Sequence, residues 1–96
     1  MTRQVTITQE NIDQGLIKNP DSCPIGLAVN HLGFESKAIN EGVSRFPDGS
    51  WYQNSCGADQ FIHDFDNGLP VSPTTLTFYK VSFEKACEIM SRQFAR

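Results

Sequence analysis

The stretch from Ser22 to Gly33 constrains the fold more than any other part of the sequence. Ser22 is a good N-cap, because its hydroxyl accepts one of the orphan amides of a first helical turn. Pro24 falls in that turn, where its missing N–H costs nothing. Ile25, Ala28, Val29 and Leu32 then recur at i, i+3, i+4 and i+7, one apolar stripe along a helix. Gly33 follows the last of them and supplies a left-handed stop.

The flanking segments alternate between strand and helix patterns. Residues 4 to 8, with Val5 and Ile7 between polar neighbours, read as a strand. Thr8 caps a short helix, Gln9 to Gln14, that Gly15 stops. Residues 35 to 53 read as two or three short antiparallel strands. Glu41-Gly42 turns the first pair, and Pro47-Asp48-Gly49-Ser50 forms a turn in which Pro47 presets φ and Gly49 takes a positive one. Ser55 or Asn54 caps a helix from about Ala58 to Asn67, with Ala58, Phe61, Ile62 and Phe65 as its buried stripe and Gly68 as its end. Two prolines make residues 69 to 73 an extended connector. Leu76 to Val81 reads as a strand. Ser82 caps a last helix striped by Phe83, Ala86, Cys87, Met90 and Phe94, with Glu88 and Arg92 paired on its wet side. The order predicts an α+β fold: a small antiparallel sheet of about four strands, with helices packed mainly on one face.

Ninety-six residues close one core, so residues 1–96 are expected to be a single domain. Seven Phe, two Tyr and one Trp give that core enough apolar area without staples. Three widely spaced cysteines argue against a disulfide framework and for free thiols in a reducing cytoplasm. No apolar run approaches the ~18 residues a bilayer needs. At a net charge of −3 the sequence lacks the basic stripe that displaces counterions from phosphates, so neither direct sequence-specific nor tight sequence-independent nucleic-acid binding is expected.

Four groups are candidates for chemistry or contact. Cys23 sits at a helix start, where unpaired amides and the macrodipole favour a thiolate, and His63 is its only candidate base. His31 lies about two turns along the same helix, out of reach at ~1.5 Å rise per residue. The competing reading is a packed thiol, because free cysteines are commonly buried. Three Cys and two His are enough to hold zinc, but none stand in the close pairs such sites use, and Cys87 lies in an apolar stripe. Asp59, His63 and Asp66 share one side of the third helix, as a solvated face or a polar contact surface. Asp48, Trp51 and Tyr52 mark the hairpin. Trp51 reads as core, and Tyr52 as core or contact.

Two stretches, Val5 to Gly15 and Ser22 to Ala28, resemble the opening of small phage- and prophage-encoded proteins that read T-x-E-H-I-x-x-G followed by C-P-[IV]-A-L-A. Phe61 to Pro73 is similar to a segment in their second half. The resemblance spans about residues 4 to 78 and leaves the last helix, about 82 to 95, as an addition. Asn11 stands where histidine is common, and Gly26 where alanine is common. The resemblance implies a phage setting and no reaction. Small acidic phage proteins without enzyme motifs often bind and block a host machine, as anti-CRISPR proteins do. The expected function is therefore non-enzymatic: binding a host protein or ribonucleoprotein complex through Asp48, Tyr52, Asp59, His63 and Asp66, with no cofactor or metal. A thiol enzyme using Cys23 with His63, or a self-associating accessory domain forming a homodimer, are the alternatives.

Overall fold

A computed structural model describes residues 2–19, 21–30 and 37–94 of the chain. Its elements are β1 (Thr2–Ile7), α1 (Gln9–Gln14), α2 (Pro24–Ala28), β2 (Ala38–Ile39), β3 (Val43–Arg45), β4 (Trp51–Asn54), α3 (Cys56–Asp66), β5 (Thr74–Val81) and α4 (Phe83–Phe94). The strands form one five-stranded antiparallel sheet in the order β1-β5-β4-β3-β2. The α+β class and the element order are as expected. The fifth strand is β2, whose two residues fall in the region where the sequence left the strand count open.

Register decides what each sheet face carries. Val5 pairs with Leu76, Phe78 with Asn54, and Tyr52 with Ser44, so these six side chains share a face with Ile7 and Ile39. Ile25 and Val29 of the α2 segment and Ala58, Phe61 and Ile62 of α3 close over that face as one core. Phe46 reaches it from the β3–β4 turn, its ring 4.4 Å from Tyr52 and 5.1 Å from Phe78. Rings at such separations add about 0.5–1.5 kcal/mol per pair beyond their buried area. On the opposite face α4 packs over β4 and β3, burying Ala86 and Val43 and setting Phe83 5.9 Å from Trp51. Most helices thus lie on one face and one lies on the other.

Local chemistry explains most boundaries and corrects several. Thr8 and Asn11 exchange hydrogen bonds, Thr8 Oγ1 accepting from Asn11 N and Asn11 Oδ1 from Thr8 N, a reciprocal cap on α1. Gly15 stops that helix, as expected, in extended backbone with φ −70°. A Cβ there would stand 2.6 Å from the Pro24 ring, so close approach is what requires glycine. Cys23, and not Ser22, caps α2, its Sγ accepting from Gly26 N at 3.4 Å. Asn19 moves the start by one residue: its side chain takes the Asp21 and Ser22 amides, and its carbonyl takes the Cys23 amide. Leu32, the Gly33 stop and His31 lie outside the described residues.

Ser55 caps α3, accepting from Ala58 N. Gly68, at φ +73°, ends it, with Leu69 N donating to Asp64 O and Gly68 N to Phe65 O. Ser82 accepts from Lys85 N, and Arg92 pairs with Glu88 at 2.7 Å on α4. Of the expected α4 stripe, Phe83, Cys87 and half-buried Met90 are not core. Phe83 is 62% exposed and Cys87 only half-buried, because a helix resting on two strands buries a narrow strip. No helix among the described residues is long and apolar enough to cross a membrane.

Candidate functional site

A half-open cleft of about 250 Å³ lies where the start of α2, strand β2 and the second half of α3 fail to close on one another. Its floor is apolar, from Ile25, Ile39, Phe61 and Ile62, with half-buried Phe65 on the wall. Its polar lining includes Lys18, Glu41 and Asp66. Asp66 Oδ1 accepts from Lys18 N at 2.9 Å and ties the α1–α2 loop to the end of α3. Lys18 holds φ +56°, a left-handed conformation that costs a lysine about 1–2 kcal/mol and would cost glycine little. Beside this junction Leu16 and Ile17 are each 53% exposed, and Leu69, just past α3, is 50% exposed.

The five residues marked from sequence do not form one surface. Asp59 turns inward from the first turn of α3. Its Oδ1 accepts from Gly42 N at 2.7 Å and from Asn54 Nδ2 at 2.9 Å. Buried Asn54 also donates to Asn40 O, and its Oδ1 accepts from Ser44 Oγ. This network pins the β2–β3 turn to the start of α3, and no buried side-chain polar atom among the described residues lacks a partner. Tyr52 is only 2% exposed, so its ring is core. Its hydroxyl stands with Asp48 and Arg3 at the other end of β4: Arg3 Nε donates to Tyr52 Oη at 3.2 Å, and Arg3 pairs with Asp48 at 3.4 Å. That contact, first with the tyrosine and then with Asp48, raises the Arg3 pKa. Trp51, expected in the core, is half-buried on the α4 face.

His63 is exposed, with Nδ1 3.8 Å from Glu41 and 3.4 Å from Asn67 Nδ2. No hydrogen bond joins it to Asp59, Asp66 or Cys23. Cys23 lies at the cleft but is buried. Burial pushes its thiol up, and the charge of Asp66 adds to that, against the opposing pull of the Gly26 and Ile25 amides. Desolvation outweighs the helix start, and the thiol stays protonated at neutral pH. No group of three or more His, Cys, Asp or Glu among the described residues is placed to hold a metal ion.

Comparison with protein-family models, curated proteins and solved structures finds no match to this chain. Sequence reasoning missed Lys18, Ile39 and Glu41 as parts of the cleft. One signal was available: Leu16-Ile17, two large apolar residues directly after the Gly15 stop, in a loop with no periodicity to bury them.

Proposed function

We propose that this protein is a phage-encoded, non-enzymatic inhibitor that binds a host protein or ribonucleoprotein complex of a defence system in the cytoplasm, in the manner of an anti-CRISPR protein. The observation that carries the reading is the apolar cleft with carboxylates in its lining, next to exposed Leu16, Ile17 and Leu69. Large apolar groups exposed beside a preformed pocket are typical of protein contact surfaces. Glu41 and Asp66 suit a basic surface of the kind that grips phosphates. The buried, protonated Cys23 favours binding over thiol chemistry. The resemblance to phage proteins supplies the setting.

The test is co-purification of the tagged protein with candidate CRISPR effector complexes, paired with plaque counts on hosts carrying each system. The unaltered protein should capture one complex and protect phage. Ile17→Glu with Leu69→Glu, at exposed positions, should fold normally and lose protection at least about tenfold, as removal of anchor contacts does. Capture of no complex and protection against no system would contradict the proposal.

A further inference from the structure

We infer that this chain forms a two-fold symmetric dimer in which β1 of one copy adds, antiparallel, to β1 of a second copy along the open edge of the sheet. The direction of the backbone groups at that edge follows from the hydrogen bonds on the far side of β5. Ser55 N donates to Thr77 O, so Thr75, Thr77 and Tyr79 turn their amides and carbonyls towards β4. Thr74, Leu76 and Phe78 then turn theirs towards β1 and engage Ile7, Val5 and Arg3. Thr2, Gln4 and Thr6 are left with backbone groups directed out of the sheet, and no backbone hydrogen bond takes these up among the described residues. An edge of this kind is completed by one chemistry, the backbone of another extended strand.

The two edges of the sheet differ in whether they can template such a strand. β2 is two residues long, which blunts its edge. β1 pairs in unbroken register from Thr2 to Ile7, with no bulge, proline or lysine. Its one charge, Arg3, is turned to the core face and held by Tyr52 and Asp48. Beside Gln4, Val5 and Thr6 an open groove of about 480 Å³, with Leu27 and Val29 on its far side, leaves room for the added strand. This seam and the cleft, which Ile39 of β2 lines, are different surfaces.

The sequence of β1 selects a second copy as the occupant. A two-fold axis through Gln4 sets Gln4 against the partner's Gln4, and Thr2 and Thr6 against the partner's Thr6 and Thr2. Each of these facing pairs exchanges two backbone hydrogen bonds. The threonine hydroxyls meet across the seam, as those of Thr6 and Thr75 already do at 3.3 Å within one sheet. On the core face Arg3 stands opposite the partner's Val5, so no like charges oppose one another. Sliding the strands by two residues in either direction loses one of the facing pairs.

Light scattering and hydrogen exchange on the whole protein test this. At a chain concentration on the order of 100 µM the mass should be twice that of the monomer. The Thr6 amide should be protected there and lose protection on dilution, while the Val5 and Ile7 amides, bonded to β5, stay protected throughout. Gln4→Pro removes an amide that no bond within the chain uses, so it should keep the fold and abolish the dimer. Gln4→Lys and Gln4→Glu each set like charges face to face and should each weaken the dimer about two- to fivefold, and their mixture should associate more tightly than either alone. A chain that stays monomeric at that concentration, a dimer that survives Gln4→Pro, or a mixture no tighter than the single variants overturns the inference. A monomer whose Thr6 amide gains protection only on adding a host complex assigns the edge to another protein's strand, and also overturns it.

Discussion

Asp59 and Asp66 stand about two turns apart on α3, yet their surroundings have little in common. Asp59 is enclosed by the Gly42 amide and the Asn54 side chain, which is itself engaged by Asn40 and Ser44. Asp66 accepts one backbone hydrogen bond from a strained lysine and faces an open cleft flanked by exposed apolar residues. At the first end every polar group is matched and the carboxylate specifies the fold. At the second, packing stops short, and the carboxylate borders an open cleft. The same residue type on the same helix thus closes a network at one end and borders an open cleft at the other.

The largest effect should come from the closed end. Asp59→Ala takes the acceptor from the half-buried Gly42 amide and leaves the Asn54 side-chain amide with Asn40 O alone, which should lower stability by about 2–4 kcal/mol in urea unfolding. A loss below 0.5 kcal/mol would break the comparison. Gly26→Ala probes the packing behind the cleft. Its Cβ would lie 2.3 Å from the Asp21 carbonyl oxygen, and overpacking of this kind should cost about 1–3 kcal/mol. At the open end the sign should reverse: Lys18→Gly relieves the left-handed strain and should stabilise by about 0.5–1 kcal/mol in thermal unfolding.

The smallest effect is one of pH. The Cys23 thiol is raised in the folded state above the ordinary 9.0, so the native protein holds its proton where the unfolded chain has released it. Its contribution is therefore complete below pH 9.0 and is lost as pH rises beyond it. Melting temperatures of the unaltered protein and of Cys23→Ala should diverge less at pH 10 than at pH 7. In the native state iodoacetamide should modify exposed Cys56 and spare Cys23 until the protein unfolds.

Much of the fold was readable where a local signal carried its own mechanism. Thr8, Ser55 and Ser82 cap the helices they precede, and Gly49 and Gly68 take the positive φ their turns require. Residues whose neighbours come from elsewhere were not readable. Helical spacing put Asp59, His63 and Asp66 on one side of α3, but the β2–β3 turn decides that Asp59 is consumed. Strand register against β5 and β3, rather than composition, puts Tyr52 in the core and Trp51 under α4. Asn19 displaces the α2 cap from Ser22 to Cys23 through a turn that the capping pattern alone does not show. The cleft draws on three segments separated in sequence, and Lys18 carries no residue-type signal for its left-handed backbone.

The contrast along α3 is tested most directly by measuring melting temperature and phage protection on two conservative variants, Asp59→Asn and Asp66→Asn. Asp59→Asn keeps the acceptor but removes the charge that strengthens two hydrogen bonds, and at about 1 kcal/mol should lower the melting temperature by about 4–8 °C while keeping phage protection. Asp66→Asn should leave melting within about 2 °C and reduce protection. Equal melting losses for both variants, or loss of protection in Asp59→Asn alone, would contradict the proposed assignment of one end to the fold and the other to binding.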